Sequence, residues 1–155
     1  MHALNGYNFT MKKLTLHYSC LLNAPREEVF AFHTDTANLP RITPPWMHVC
    51  IVDSSQNHVV LDIKRHHITT RWEVDLAFDT HQWSITDTLS KGPLPFFRHH
   101  RRFLALENGA TCMDESLEMV LPFGWLGMLA HPFVKKETDA MFAFRHKATQ
   151  RYFEK

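Results

Sequence analysis

The sequence predicts an α+β domain: a curved antiparallel sheet of about seven strands closed over a long C-terminal helix, with two short helices after the first strand. Three observations predict it. Leu14–Leu22 and a run of segments between residues 47 and 121 carry strand-like patterning. Short polar connections separate several of these segments, so consecutive hairpins build an antiparallel meander. From Trp125 to Phe153, apolar residues recur at helix-face spacing, and no other stretch is long enough to cover the apolar face of such a sheet.

Each element follows in order. Met11-Lys12-Lys13 directly precedes the first patterned segment, which makes residues 1–11 an N-terminal extension and 12–155 a single domain. Within 14–22, Leu14, Leu16, Tyr18 and Cys20 fall on one side and Thr15, His17 and Ser19 on the other, a half-buried strand. Pro25 then suits the first turn of a helix over 26–33, where Glu27 and Glu28 complement the helix N-terminus and Val29, Phe32 and His33 share a face. A second short helix ends in Asn38-Leu-Pro-Arg-Ile-Thr-Pro-Pro45, because proline removes backbone donors and fixes φ. Strands are predicted at 47–53, 58–66, 68–78, 82–90, 98–107 and 110–121. Asn108-Gly109 marks the last hairpin, since that dipeptide accepts positive φ. In the C-terminal helix, Val134, Met141, Phe144, Ala148 and Tyr152 share a face, and Pro132 marks either its first turn or a kink.

Composition narrows the function classes. The chain has 155 residues, the size of one domain, and a formal net charge of +1 with His neutral, which gives no general pull toward nucleic acid. Cys20, Cys50 and Cys112 are odd in number and widely spaced, fitting neither a disulfide framework nor a zinc knuckle, so a reducing cytoplasm is expected. No apolar run reaches the length of a membrane span. With five glycines, no phosphate-binding loop, no dinucleotide fingerprint and no G-x-S-x-G elbow, nucleotide chemistry and acyl-enzyme chemistry lack a signature, and no cofactor is expected.

A single helix laid on a twisted, curved sheet cannot fill the whole concave surface, so a hollow is expected near the proline-rich loop and the short helices. The residues offered to it are bulky and adaptable: Trp72, Val74 and Leu76 on one strand, Phe97 and Phe103 on another, Met113, Leu117 and Met119 on the last, and Met141 and Phe144 from the helix. Asn38, Leu39, Pro44, Pro45 and Trp46 form its expected rim. The plain alternative is that these residues only pack as core and turn.

One polar group stands out. His99, Arg101 and Glu115 fall on facing positions of the two strands joined at Asn108-Gly109, and on a concave face they would place an imidazole, a guanidinium and a carboxylate together. There Arg101 would orient a carboxylate, phosphate or enolate oxygen, and His99 or Glu115 would move a proton. On a convex face they would be a solvated charge ladder. The pairs His66-His67 and His99-His100 cannot chelate alone, because adjacent strand residues point to opposite faces; with no H-x-H or H-E-x-x-H spacing, no metal site is predicted. Asp114 and Glu118 alternate with Glu115 and are expected to face solvent.

Pro25-Arg-Glu-Glu-Val-Phe-Ala-Phe-His33 followed by Asn38-Leu-Pro-Arg-Ile-Thr-Pro-Pro-Trp46 resembles the opening of the SRPBCC superfamily, the START-like and polyketide cyclase/dehydrase-like helix-grip proteins. Gly92-Pro-Leu-Pro-Phe-Phe-Arg-His99, Thr111-Cys-Met-Asp114, Leu121-Pro-Phe-Gly124 and Met141-Phe-Ala-Phe-Arg145 are similar to its small stand-alone ligand-binding members, and the likeness spans residues 12–153. Such relatives often carry aromatic-x-His-x-His-x-Phe on the sixth strand, whereas this chain reads Phe97, His99, Arg101, Phe103. The resemblance implies a helix-grip fold and a cavity for a lipid, quinone or polyketide-like molecule; members differ in whether they catalyse or only bind.

Three functions compete. The first is carriage of an apolar or amphipathic small molecule. The second is a cyclase, dehydratase or hydrolase working through His99, Arg101 and Glu115, which requires Arg101 to face the cavity. The third is a protein or membrane interaction module using the exposed part of the Lys/Arg-bearing C-terminal helix or Trp125-Leu-Gly-Met-Leu129, which a fully packed sheet–helix interface with Trp125 exposed would favour. The expected partner is a hydrophobic small molecule, without nucleic acid, in a monomer or weak homodimer.

Overall fold

The computed structural model describes residues 12–154; the N-terminal extension expected over 1–11 lies outside the described residues. The elements are β1 (Leu14–Leu22), α1 (Arg26–Thr34), a 3-10 segment (Thr36–Ile42), β2 (His48–Ser54), β3 (His58–Arg65), β4 (Ile68–Asp79), β5 (Ser84–Lys91), β6 (Phe96–Ala105), β7 (Thr111–Val120), α2 (Trp125–Leu129) and α3 (His131–Phe153). All seven strands join one antiparallel sheet in the order β1-β7-β6-β5-β4-β3-β2. Consecutive hairpins supply every neighbour except β1, which returns to pair with β7.

The helices begin and end for local reasons. Pro25, in extended backbone, precedes α1, and its carbonyl accepts from Glu28 and Val29. The Asp35 side chain accepts from Ala37 N–H and so caps the 3-10 segment. At the C-terminal end, the expected single helix is two: Ala130 separates α2 from α3, and Pro132 stands in the first turn of α3, where its missing N–H costs nothing. Gly127 lets α2 lie close on the preceding turn, because a Cβ there would lie 2.3 Å from the Pro122 carbonyl oxygen.

His66 and His67 correct the strand boundaries. Arg65 pairs with Ile68, so the two histidines form a two-residue hairpin turn with φ of 48° and 66°. Positive φ at both central positions suits the right-handed twist of the strands. Neither residue is Gly or Asn, so the usual signal is missing. The β6–β7 connection does carry it: Gly109 has φ of 81° and Asn108 Oδ1 accepts from Ala110 N–H.

Three apolar clusters hold the sheet and helices together. Under α1, Val29 and Phe30 pack with Cys20, Leu22, Ile85, Phe103 and Met113. Under α3, Phe142 packs with Leu16, Leu117, Met119 and Leu121, and Tyr18 stacks on Phe142 with ring centroids 4.2 Å apart while its hydroxyl donates to Asp139 at 2.7 Å. The third cluster, Val59, Leu61 and Val74, belongs to β3 and β4. α3 rests on β1 and on the 3-10 segment, so it covers one half of the sheet and leaves the β3–β4 half facing open space.

Candidate functional site

That space is a cavity of about 470 Å³ between the sheet and α3, within the range of small-molecule sites. Its sheet wall is mostly aliphatic and aromatic, with Val59, Leu61, Trp72, Val74, Leu76, Phe97, Leu117 and Met119 pointing inward, and α3 adds Val134, Thr138, Met141 and Arg145. The helix residues follow from spacing: 134, 138, 141 and 145 lie along one stripe. At the rim stand Asn38, Leu39, Ile42 and Pro44 from the proline-rich segment. Arg65, at the end of β3, forms an ion pair with Glu137 of α3, and both line the cavity.

One end of the cavity is polar. β6 faces β7 in the register His99↔Leu117 and Arg101↔Glu115, and faces β5 in the register Asp87↔His99. Phe97, His99, Arg101 and Phe103 therefore share the concave face, with His99 and Arg101 buried. Glu115 sits beneath them with each oxygen taken: His99 Nε2 lies 2.7 Å from Oε2, and His146 Nε2, from α3, lies 2.6 Å from Oε1. Arg101 donates to Asp87 Oδ2 at 2.6 Å, and the same oxygen lies 3.7 Å from His99 Nδ1. Hydrogen bonds and charge thus link three strands to α3 in one network.

Protonation follows from that network. Burial works to raise the Glu115 carboxyl, but the hydrogen bonds from His146 and His99 override it and hold the group well below the usual carboxylate range. Asp87 behaves alike: burial raises it, and the positive charge of Arg101 with the neighbouring His99 brings it down to about 2. His33 of α1 is pushed well below the ordinary imidazole value by burial and then by Arg101, so it is neutral. His33 Nε2, Asp87 Oδ1 and Arg101 Nε are buried without a hydrogen-bond partner. All three residues line the cavity.

The residues singled out in the sequence divide into two sets. Trp72, Val74, Leu76, Phe97, Leu117, Met119 and Met141 line the cavity, as do His99 and Arg101, while Glu115 lies behind His99. Phe103 and Met113 do not: they are on the expected face, but α1 covers that end of the sheet and they pack against Phe30 in the core. Trp46 and Phe144 lie outside the cavity as well. Phe144 is on the edge of the α3 stripe, where it meets the half-exposed Trp46 ring edge-on at 5.8 Å. Asp114 and Glu118 face outward and pair with Arg102, Arg98 and Lys13.

Four polar residues of this end were missed. Asp87 could have been found, because it is the carboxylate in the otherwise apolar inward series Ile85, Asp87, Leu89 of β5. His33 was placed on a buried helix face but given no role. Arg145 and His146 gave no sign in the sequence of their nearness to Glu115, which depends on how α3 crosses β7.

The sequence of this chain matches, over residues 22–144, the family described as polyketide cyclase/dehydrase and lipid transport. The chain belongs to that family. Among solved structures, the Zhui aromatase/cyclase from Streptomyces sp. R1128 superposes with a TM-score of 0.74 at 15% identity, covering 92% of this chain and 94% of that one. A START superfamily protein from Mycobacterium smegmatis gives 0.70 at 16% identity, covering 90% and 97%. Norcoclaurine synthase from Thalictrum flavum gives 0.69 at 12% identity, covering 97% and 92%. No curated protein matches the chain. At these identities the likeness establishes the helix-grip fold and leaves the ligand to be argued from the residues. Among the described residues, no group of His, Cys, Asp and Glu is arranged to hold a metal ion, and no helix is long and apolar enough to cross a membrane.

Proposed function

We propose that this member of the polyketide cyclase and lipid transport family binds and carries an apolar or amphipathic small molecule in the cavity between β3–β7 and α3. The observation that carries this reading is the unfilled, largely apolar space of about 470 Å³ beside well-packed cores under α1 and α3. A chain that needed only stability would close such a space, since a void of this kind costs packing energy. Family membership supports the same reading.

The test is titration of the purified protein with N-phenyl-1-naphthylamine, an uncharged probe whose fluorescence rises in apolar surroundings. Saturable binding is expected for the unmodified chain, and Leu61→Trp, which fills the cavity from β3, is expected to weaken it at least tenfold. Undiminished binding in a folded Leu61→Trp protein would place the probe elsewhere and sink the reading.

A second reading, an enzyme of the cyclase or dehydratase type, is favoured by one observation: Arg101 and His99 both face the cavity rather than solvent. His99 is hydrogen-bonded to Glu115, an arrangement suited to proton movement beside a bound carbonyl. A new product from a poly-β-carbonyl substrate, lost in His99→Gln and Arg101→Met, is its expected signature. Simple release of unchanged substrate contradicts it.

A further inference from the structure

Among the described residues, Arg145 is the cavity-lining cation whose guanidinium has no acceptor in contact, Arg65 and Arg101 being paired with Glu137 and Asp87. It extends half-buried from α3 into the polar end, where burial pushes its guanidinium below its ordinary value without neutralising it. Glu115 and Asp87 act on it by charge, but neither is a partner in contact. Both Glu115 oxygens are occupied by His99 and His146, and the bonded oxygen of Asp87 is occupied by Arg101. Among the described residues, the contact made by the Arg145 guanidinium is with the face of the Phe142 ring, at 5.5 Å. Its hydrogen-bond donors, unlike the buried Nε of Arg101, retain access to the cavity.

A half-buried guanidinium with no acceptor in contact leaves its donors to whatever enters the cavity, and a fork of N–H groups fits a carboxylate in two parallel bonds. The charge count limits the head group further. Two guanidiniums, Arg101 and Arg145, stand against two carboxylates, Asp87 and Glu115, so charge balances before any ligand enters. A singly charged head exceeds this balance by one charge, which a two-bond fork to Arg145 offsets, whereas a dianionic phosphomonoester exceeds it by two beside both carboxylates.

Resting on the cavity-binding reading above, we propose that Arg145 selects ligands with a carboxylate head on an apolar body, the head seated at Arg145 and the body running along Leu61, Trp72 and Met119 toward the rim. Decanoate, decanol and decylamine share one body and differ in the head, so they separate the two claims. Competition against N-phenyl-1-naphthylamine at neutral pH is expected to show decanoate binding about tenfold more tightly than decanol, the size of a charge-assisted hydrogen bond, with decylamine weakest. Arg145→Gln is expected to erase the decanoate preference, read as the ratio of decanoate to decanol affinity within the same variant, and Arg145→Lys to restore part of it. Equal affinity of decanoate and decanol in the unmodified chain, which needs no variant to fold, overturns the carboxylate assignment alone. A preference that survives in Arg145→Gln overturns the role of Arg145. Failure of the probe and all three decyl compounds to bind overturns the assignment together with the cavity reading beneath it.

Discussion

Glu115 is the residue on which the polar end turns. Its two imidazole bonds join β6, β7 and α3, so removing the carboxylate leaves the buried His99 ring N–H and the half-buried His146 ring N–H without their acceptor. Glu115→Ala is expected to cost about 3 kcal/mol, and Glu115→Gln, which keeps one acceptor oxygen, less than that, read from urea denaturation midpoints. Phe142 makes the apolar comparison: it is 1% exposed and stacked on Tyr18, so Phe142→Ala is expected to cost about 3–5 kcal/mol by leaving a cavity under α3. At this scale the sequence was readable where alternation decides the face. His99, Arg101 and Glu115 were grouped correctly because β-strand residues two apart share a side. Arg145 and His146 were not, because a helix's rotation about its own axis against a sheet is set by packing of the whole face.

Elements show where local chemistry succeeds and where it misleads. The β6–β7 hairpin was legible from Asn108-Gly109, whose positive φ at Gly109 is what such a turn demands. At the β3–β4 hairpin the sequence placed a break only at His67 and kept His66 in the strand, because both histidines adopt left-handed backbone without being the residues that favour it. Replacing them with Asn and Gly is therefore expected to stabilise the protein by about 1 kcal/mol, seen as a raised thermal midpoint; no gain would show that the histidine turn is unstrained. Residues 125–153 were read as one helical stretch with Pro132 at the first turn of the main helix or a kink; the structure takes the first of these, with α3 starting at His131 and the short α2 before it. Arg65 and Glu137 tie the end of β3 to α3 at the cavity wall. Glu137→Gln is expected to speed release of bound N-phenyl-1-naphthylamine several-fold in stopped-flow measurements, with under about 1 kcal/mol change in stability, since the pair is only half-buried.

For the whole molecule, the buried ionisable groups set the response to acid. His33, Asp87 and Glu115 all have folded-state pKa values below their ordinary ones. Each therefore contributes stability that is fully present above its unfolded value and is lost as pH falls toward the folded one. For His33 the loss begins below about 6.5, and for Glu115 and Asp87 below about 4.5 and 3.8. Asp87 alone, brought down to about 2, contributes about 2 kcal/mol at neutral pH. Denaturation midpoints are expected to fall in two stages, gently below pH 6.5 and steeply below 4.5, with His33→Phe reducing the first stage, to which His100, lowered by partial burial, also contributes; a flat profile down to pH 4 contradicts the buried, neutral state of His33. The topology itself was legible because strand, short helices, meander and long helix leave one way to cover the sheet. What the order of elements could not give was which sheet residues α1 would claim, and so Phe103 and Met113 were expected in the cavity and lie in the core.

The central claim is that the space beneath α3 holds a small molecule. Native mass spectrometry of gently purified protein, followed by organic extraction and identification of what is released, tests it most directly. The account predicts a near-stoichiometric adduct that is lost on extraction and yields an apolar molecule with an acidic head. A protein that remains at its bare chain mass, and takes up neither the naphthylamine probe nor decanoate when they are supplied, would contradict it.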